Sequence, residues 1–140
     1  MIRLITSFFL LVSLLFASDI AIVKKVTGDT YIKRAEKEIK VKVGDQLQKG
    51  DILITKKNGS IGVIFHDGTL LSLGENSVLS VDKYIFKPAN KEFAFDLNMK
   101  KGLATFESGK IGKLAPKVVN FKVPEGTIGI RGTKFYVEVK

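Results

Sequence analysis

From Asp19 onward, apolar and polar residues alternate in short runs, and turn residues break the alternation every six to ten positions. This rhythm limits the fold more than any other feature of the chain. Alternation with a period of two places one set of side chains on each face of a strand, so every run reads as a half-buried strand. "EFAFDLNMKKG" is the clearest case, with Phe93, Phe95, Leu97 and Met99 on one face. The final run does the same, with Phe135, Val137 and Val139 facing one way and Lys134, Tyr136 and Glu138 the other. Helical periodicity is almost absent.

The interruptions carry their own chemistry. Thr27-Gly28-Asp29 reads as a turn between "DIAIVKKV" and "DTYIKRA". "KEIKVKV" reads as the next strand, and its "EIKVKV" part puts Lys40 and Lys42 opposite Ile39, Val41 and Val43. Two Gly-Asp steps, Gly44-Asp45 and Gly50-Asp51, each introduce a short apolar stretch. Asn58-Gly59 is a strong hairpin signal, because both residues accept positive φ, and it joins "ILIT" to "SIGVIF". Asp67-Gly68 and the stretch from Gly74 to Asn76 are further turns, and "KPANK" is a polar loop. Only "GKIGKLAPKVVN" departs from strand patterning; it predicts a loop or one helical turn around Ile111 to Ala115, ending before Pro116. About ten short strands result. The expected fold is all-β: a compact two-layer β-sandwich or roll with solenoid-like winding of short strands and little or no helix. No fixed repeat supports a long β-helix.

The first segment is expected to lie outside that domain. Arg3 precedes an uncharged apolar run from Leu4 to Phe16, followed by the small residues Ala17 and Ser18. This is the layout of a secretory signal peptide, and the run is shorter than the roughly 20 residues of a spanning helix. Residues 1–17 are read as the signal peptide and 18–140 as one domain, periplasmic or secreted, with no membrane span after cleavage. An uncleaved anchor is the rival reading. Without Arg3 the chain keeps 22 basic residues against 14 acidic ones, a net +8. It has no cysteine, so it cannot use the disulfides common in exported proteins, nor carry a lipid on cysteine. Its positive charge is mostly lysine, spread along the strands. Base readout favours bidentate arginine, so no nucleic-acid partner is expected.

A search for catalytic or ligand chemistry finds little. The one histidine, His66, stands beside Asp67 in "FHDGT". A His-Asp pair suggests a general base and its orienting carboxylate, but adjacent strand residues point to opposite faces. No catalytic residue is assigned. One histidine and no cysteine leave no zinc set, and "DGTLLSLGE" lacks the alternating oxygen ligands of a calcium loop. Gly126, Gly129 and Gly132 do not make a dinucleotide-binding loop, and no helix pattern follows them. No cofactor is expected. Arg131 is read as a tie between a corner and neighbouring turns at Asp45, Asp51 or Asp67.

Taken in order, "VGDQLQKGDILIT", "SIGVIFHDGTLLSLGENSVL", "KKGLATFES" and "NFKVPEGTIGIRGTKFYVEV" resemble the FecR domain family. Gly44, Asp45, Gly50, Asp51, Asp67, Gly68, Gly102, Arg131, Gly132, Thr133 and Phe135 occupy the positions of its pattern. The departure is "VPEGTIGIRGT", with Glu125 after the proline and Gly129 where a bulkier residue is usual. The resemblance implies a periplasmic β domain that binds a protein or another envelope component, in some relatives as part of signal transduction. With only Met1, Ile2 and Arg3 ahead of the apolar run, the anti-sigma segment of the best-known relatives is not expected. The leading expectation is a non-catalytic protein-binding or scaffold module with an envelope protein as partner. A second is a binder of anionic envelope polymers, lipopolysaccharide or cell-wall glycan, through the basic surface. A third is a hydrolase using His66.

Overall fold

The computed structural model describes residues 18–130 and 134–140. The expected signal peptide, Arg131, Gly132 and Thr133 lie outside the described residues. Strand accounts for 62% of the described residues and helix for 9%, which makes the domain all-β. The strands are β1 (Asp19–Thr27), β2 (Thr30–Arg34), β3 (Lys37–Lys40), β4 (Gln46–Gln48), β5 (Ile52–Thr55) and β6 (Ser60–Phe65). They continue with β7 (Leu70–Leu73), β8 (Val78–Lys87), β9 (Glu92–Glu107), β10 (Val119–Val123), β11 (Gly126–Ile128) and β12 (Lys134–Val139). One short helix, α1 (Lys110–Leu114), occupies the stretch expected to leave the strand pattern, with Pro116 beginning a 3₁₀ turn just after it.

The hydrogen-bonded order is β3-β2-β5-β8-β9-β7-β6-β1-β4, with β10 and β12 also on β9 and β11 on β10. The sheet folds over so that its two halves face each other. The front layer holds β4, β1, β6, β7, the second half of β9, and β12. The back layer holds β3, β2, β5, β8, the first half of β9, β10 and β11. All pairings are antiparallel except β10 on β9, which the α1 crossover makes parallel.

Alternation explains which faces meet. Ile61, Val63 and Phe65 of β6 are buried while their neighbours are half-buried, and in β7 the buried Leu71 and Leu73 alternate with exposed Leu70 and Ser72. Across the layers Phe65 lies 4.8 Å from Phe95 and 5.1 Å from Tyr84, measured between ring centres. The aromatic chain runs on through Phe106 to Phe121 and Phe135, with Phe106 and Phe135 stacked at 5.1 Å. Tilted and edge-on pairs of this kind add about 0.5–1.5 kcal/mol each beyond the area they bury.

β9 serves both layers. Phe95, Leu97 and Met99 point inward in its first half, Ala104 and Phe106 in its second, so the inward parity changes by one residue. The change occurs at Gly102, whose φ is +105°. A Cβ there would run into Ser77, so only glycine fits. Pairing with β8 ends at Lys101, and pairing with β7 begins at Ala104.

Gly102 is the last of four stacked corners at one end of the roll. The others are the β1–β2, β5–β6 and β7–β8 connections. Lys56 N–H donates to Asp29 O (2.9 Å), Asn76 N–H to Lys56 O (3.2 Å), and Gly74 N–H to Leu103 O (2.9 Å). Three buried hydroxyls line the inside of this seam. Thr55 Oγ1 accepts from Ser77 N–H (2.9 Å) and donates to Gly74 O (2.5 Å), Ser77 Oγ accepts from Leu103 N–H (3.0 Å), and Thr30 Oγ1 donates to Ser60 O (3.3 Å). These corners give the winding its solenoid-like character, although successive corners cross between the layers in opposite directions.

Two sequence expectations need correction. Asn58-Gly59 is no hairpin: β5 pairs with β2 and β8, whereas β6 pairs with β1 and β7. Asn58 does adopt positive φ, 61°, but the turn carries the chain from one layer to the other. "EIKVKV" is not one strand either. β3 stops at Lys40, all four of its residues are exposed, Val41 is buried beyond it and Val43 is exposed. β3 forms instead an edge hairpin with β2 through Ala35 and Glu36, which both take positive φ.

Candidate functional site

The motif residues fall into two groups that the fold keeps apart. In the first, Lys42–Asp45 and Gln48–Asp51 form the same turn twice. Glycine sits third with φ of 95° and 89°, as a type II turn requires. Each aspartate N–H donates back three residues (3.1 Å), and each carboxylate accepts the N–H of that same residue (2.8 Å). Asp51 is buried, and Arg34 grips it with two bonds, Nε to Oδ1 (2.8 Å) and Nη2 to Oδ2 (2.7 Å). Hydrogen bonding to Asp51 raises the already high pKa of Arg34 further. Arg34, absent from the motif reading, thus ties a Gly-Asp corner.

The second group centres on Asp67, in the hairpin joining β6 to β7, where Gly68 has φ of 88°. Asp67 is 1% exposed. Its Oδ1 accepts from Tyr84 OH (2.9 Å) and Thr69 N–H (3.2 Å), and its Oδ2 from Thr69 Oγ1 (2.8 Å) and Ile111 N–H (3.0 Å). Tyr84 Oη in turn accepts from Asp67 N–H (2.9 Å). Burial first, then the Asp67 charge, pushes the Tyr84 hydroxyl well above the ordinary tyrosine value. Asp67 thus ties the hairpin, β8 and α1 together. His66 is exposed and turns away from it, bordering a hollow of about 280 Å³ whose acidic residue is Asp19. The pair needed for a His66–Asp67 base is not assembled.

Arg34, Asp45 and Gln48 of the first group border a hollow of about 290 Å³, whereas Asp67 is enclosed. The described surface offers its clearest binding features around β12. This strand pairs with β9 on one side, and among the described residues nothing pairs with the other. It does not hydrogen-bond to β11, the neighbouring edge of the back layer. A cleft of about 340 Å³ separates the two, lined by Val123, Pro124, Ile128, Val137 and Val139 with Glu138 and Lys140 at its rim. On the outer face, small residues of β7 and β9 form a trough of about 550 Å³ beside β12. Ser72, Gly74 and Thr105 lie along it, between Leu103 and Tyr136. Tyr136 is 75% exposed and Leu103 46%. A tyrosine so exposed at the centre of an open strand is an unpartnered apolar surface. Phe135, the last motif residue, faces inward on the same strand and packs on Phe106 and Phe121. The alternation of the final run made these orientations readable, whereas the openness of the edge depends on how the sheet closes.

Among the described residues no group of three or more His, Cys, Asp or Glu side chains converges to hold a metal. No helix among them is long and apolar enough to cross a membrane.

Gly-Asp corners and an open final strand frame an all-β roll. The family model described as FecR protein matches residues 51–140, and the chain belongs to the FecR family. The matched stretch includes Asp51, Asp67, Gly68 and Phe135 as well as positions 131–133; Gly44, Asp45 and Gly50 precede it. No curated protein matches the chain. A solved structure described as "Cell surface anchoring domain" is 27% identical, with 44% of this chain and 82% of that one covered and a TM-score of 0.42.

Proposed function

We propose that the protein is an exported, non-catalytic module of the bacterial envelope that docks a partner protein along β12. The single observation that carries this is the six-residue final strand, bonded on one side only among the described residues and bearing the exposed Tyr136. An open edge offers a row of backbone donors and acceptors, and an incoming strand satisfies them by extending the sheet. Membership of the FecR family supports an envelope role. The non-catalytic reading is supported by Asp67, whose oxygens are engaged by protein donors, and by His66, which stands apart from it. The β3 edge of the back layer makes a natural control, because it carries Lys37, Glu38 and Lys40 and is better guarded against pairing. A photo-crosslinking residue at Tyr136 is expected to capture an envelope protein in cells, and one at Ile39 of β3 is not. Capture at both positions or at neither would remove the docking edge.

A second reading, a binder of anionic envelope polymers, is favoured by the state of the lysines. Among the described lysines Lys33 alone forms an ion pair, with Glu36 at 3.6 Å. The remaining positive charge is available to a polyanion. Such binding is expected to collapse between low and high salt. Retention on lipopolysaccharide or cell-wall glycan that ignores salt would count against it.

A further inference from the structure

The order of residues in β12 says which partner its edge fits. The outward side reads Lys134, Tyr136, Glu138, and the inward side Phe135, Val137, Val139. Two copies of a strand paired antiparallel about a two-fold axis keep their faces matched only when even residues oppose even ones. Centred on Tyr136, that pairing sets Lys134 of each copy opposite Glu138 of the other. Phe135 then opposes Val137, and the two Tyr136 rings meet at the axis. Centred on Val137, it would set Lys134 against Lys140, with like charges opposed. The strand is thus self-complementary in one register, in charge on its outer face and in apolar character on its inner one.

Two further observations agree. Neither Lys134 nor Glu138 forms an ion pair among the described residues, so both charges are available. At the cleft between β11 and β12 the inward-facing Val139 is half-buried, with the buried Val137 beside it. A second strand laid along β12 in this register would set its own Phe135 against Val137 and diagonally beside Val139.

We infer that the β12 edge is an isologous interface, and that its occupant is a second copy of this chain, held in register by reciprocal Lys134–Glu138 pairs. This rests on the reading of β12 as a docking edge and names its partner. The front layers of the two copies then form one continuous sheet. Any other envelope protein using the edge must displace the second copy.

Charge reversal tests this directly. The protein recovered from cells expressing the full chain is followed by analytical ultracentrifugation over a range of concentrations. Wild type is expected to shift from monomer to dimer as concentration rises. Lys134→Glu and Glu138→Lys each replace two opposite-charge pairs by two like-charge pairs, and each is expected to self-associate roughly tenfold more weakly. An equimolar mixture of the two variants restores both attractive pairs and is expected to regain wild-type association. The double variant K134E/E138K should regain it alone. Matching circular dichroism spectra establish that each variant is folded, and restoration on mixing cannot arise from misfolding. A wild type that stays monomeric would overturn the inference. So would a dimer indifferent to either reversal, or a mixture that fails to recover. If wild type is monomeric while the crosslinker at Tyr136 captures an envelope protein, self-pairing is lost and the docking edge stands. If neither association nor capture is seen, both are lost.

Discussion

Asp51 and Asp67 are the same residue type at the same burial, each 1% exposed and each beside a glycine with φ near 90°. They are stabilised in different ways. Asp51 is held by one charged partner, Arg34, whose own side chain is a third exposed. Asp67 is held by four neutral donors from three parts of the chain, Thr69, Tyr84 and Ile111. A buried carboxylate needs compensation from charge or from directed dipoles, and here one fold uses each. The Asp51 solution is local to the rim and open to water on one side. The Asp67 solution is dry and joins elements far apart in sequence, so its loss should reach further.

The contrast can be broken most severely at Asp67. Asp67→Ala strands the Ile111 and Thr69 amides and the Tyr84 hydroxyl without their acceptor, and should cost about 4 kcal/mol in urea denaturation. That is a large share of the 5–15 kcal/mol typical of a domain. Arg34→Ala leaves the Asp51 carboxylate with only the Gln48 amide, but water can reach it from the exposed side. A smaller loss, about 2 kcal/mol, is expected from the same measurement. A larger loss at Arg34 than at Asp67 would reverse the ranking. Tyr84→Phe removes one of the four donors and should cost about 1 kcal/mol.

The tyrosine also sharpens the comparison through pH. The folded protein holds the Tyr84 hydroxyl protonated to higher pH than the unfolded chain, whose tyrosine ionises near the ordinary value of 10.0. The unfolded state therefore releases its proton first as pH rises. The stability due to Tyr84 is fully present below pH 10 and declines above it. Denaturation midpoints followed upward from pH ~9 should fall faster in wild type than in Tyr84→Phe. Parallel curves would mean that the Asp67 network does not hold the hydroxyl.

The sequence made part of this visible. Alternation revealed the inward faces of β12 and of the first half of β9, and the glycines at 44, 50 and 68 marked turns that do take positive φ. The break around Ile111 was equally readable. What it could not show was which strand lies beside which. Asn58-Gly59 has the chemistry of a hairpin turn, yet the same backbone bend carries the chain between layers once β2 and β8 flank β5. Thr30, Thr55 and Ser77 look like ordinary strand polar residues, and only the stacking of corners buries them. Asp67 and Tyr84 stand 17 positions apart with no pattern linking them. The turn at Ala35 and Glu36 gives no glycine signal at all. The open edge of β12, on which the proposed function rests, is a property of the last pairing in the sheet.

The bend at Gly102 makes β9 a shared wall. It contributes residues 92–101 to one layer and residues 102–107 to the other, so neither layer is complete without it. The molecule consequently has no internal seam along which half could melt while half survives. Native-state hydrogen exchange should release the amides on either side of Gly102 in a single cooperative event, and a nick there should dismantle both halves at once.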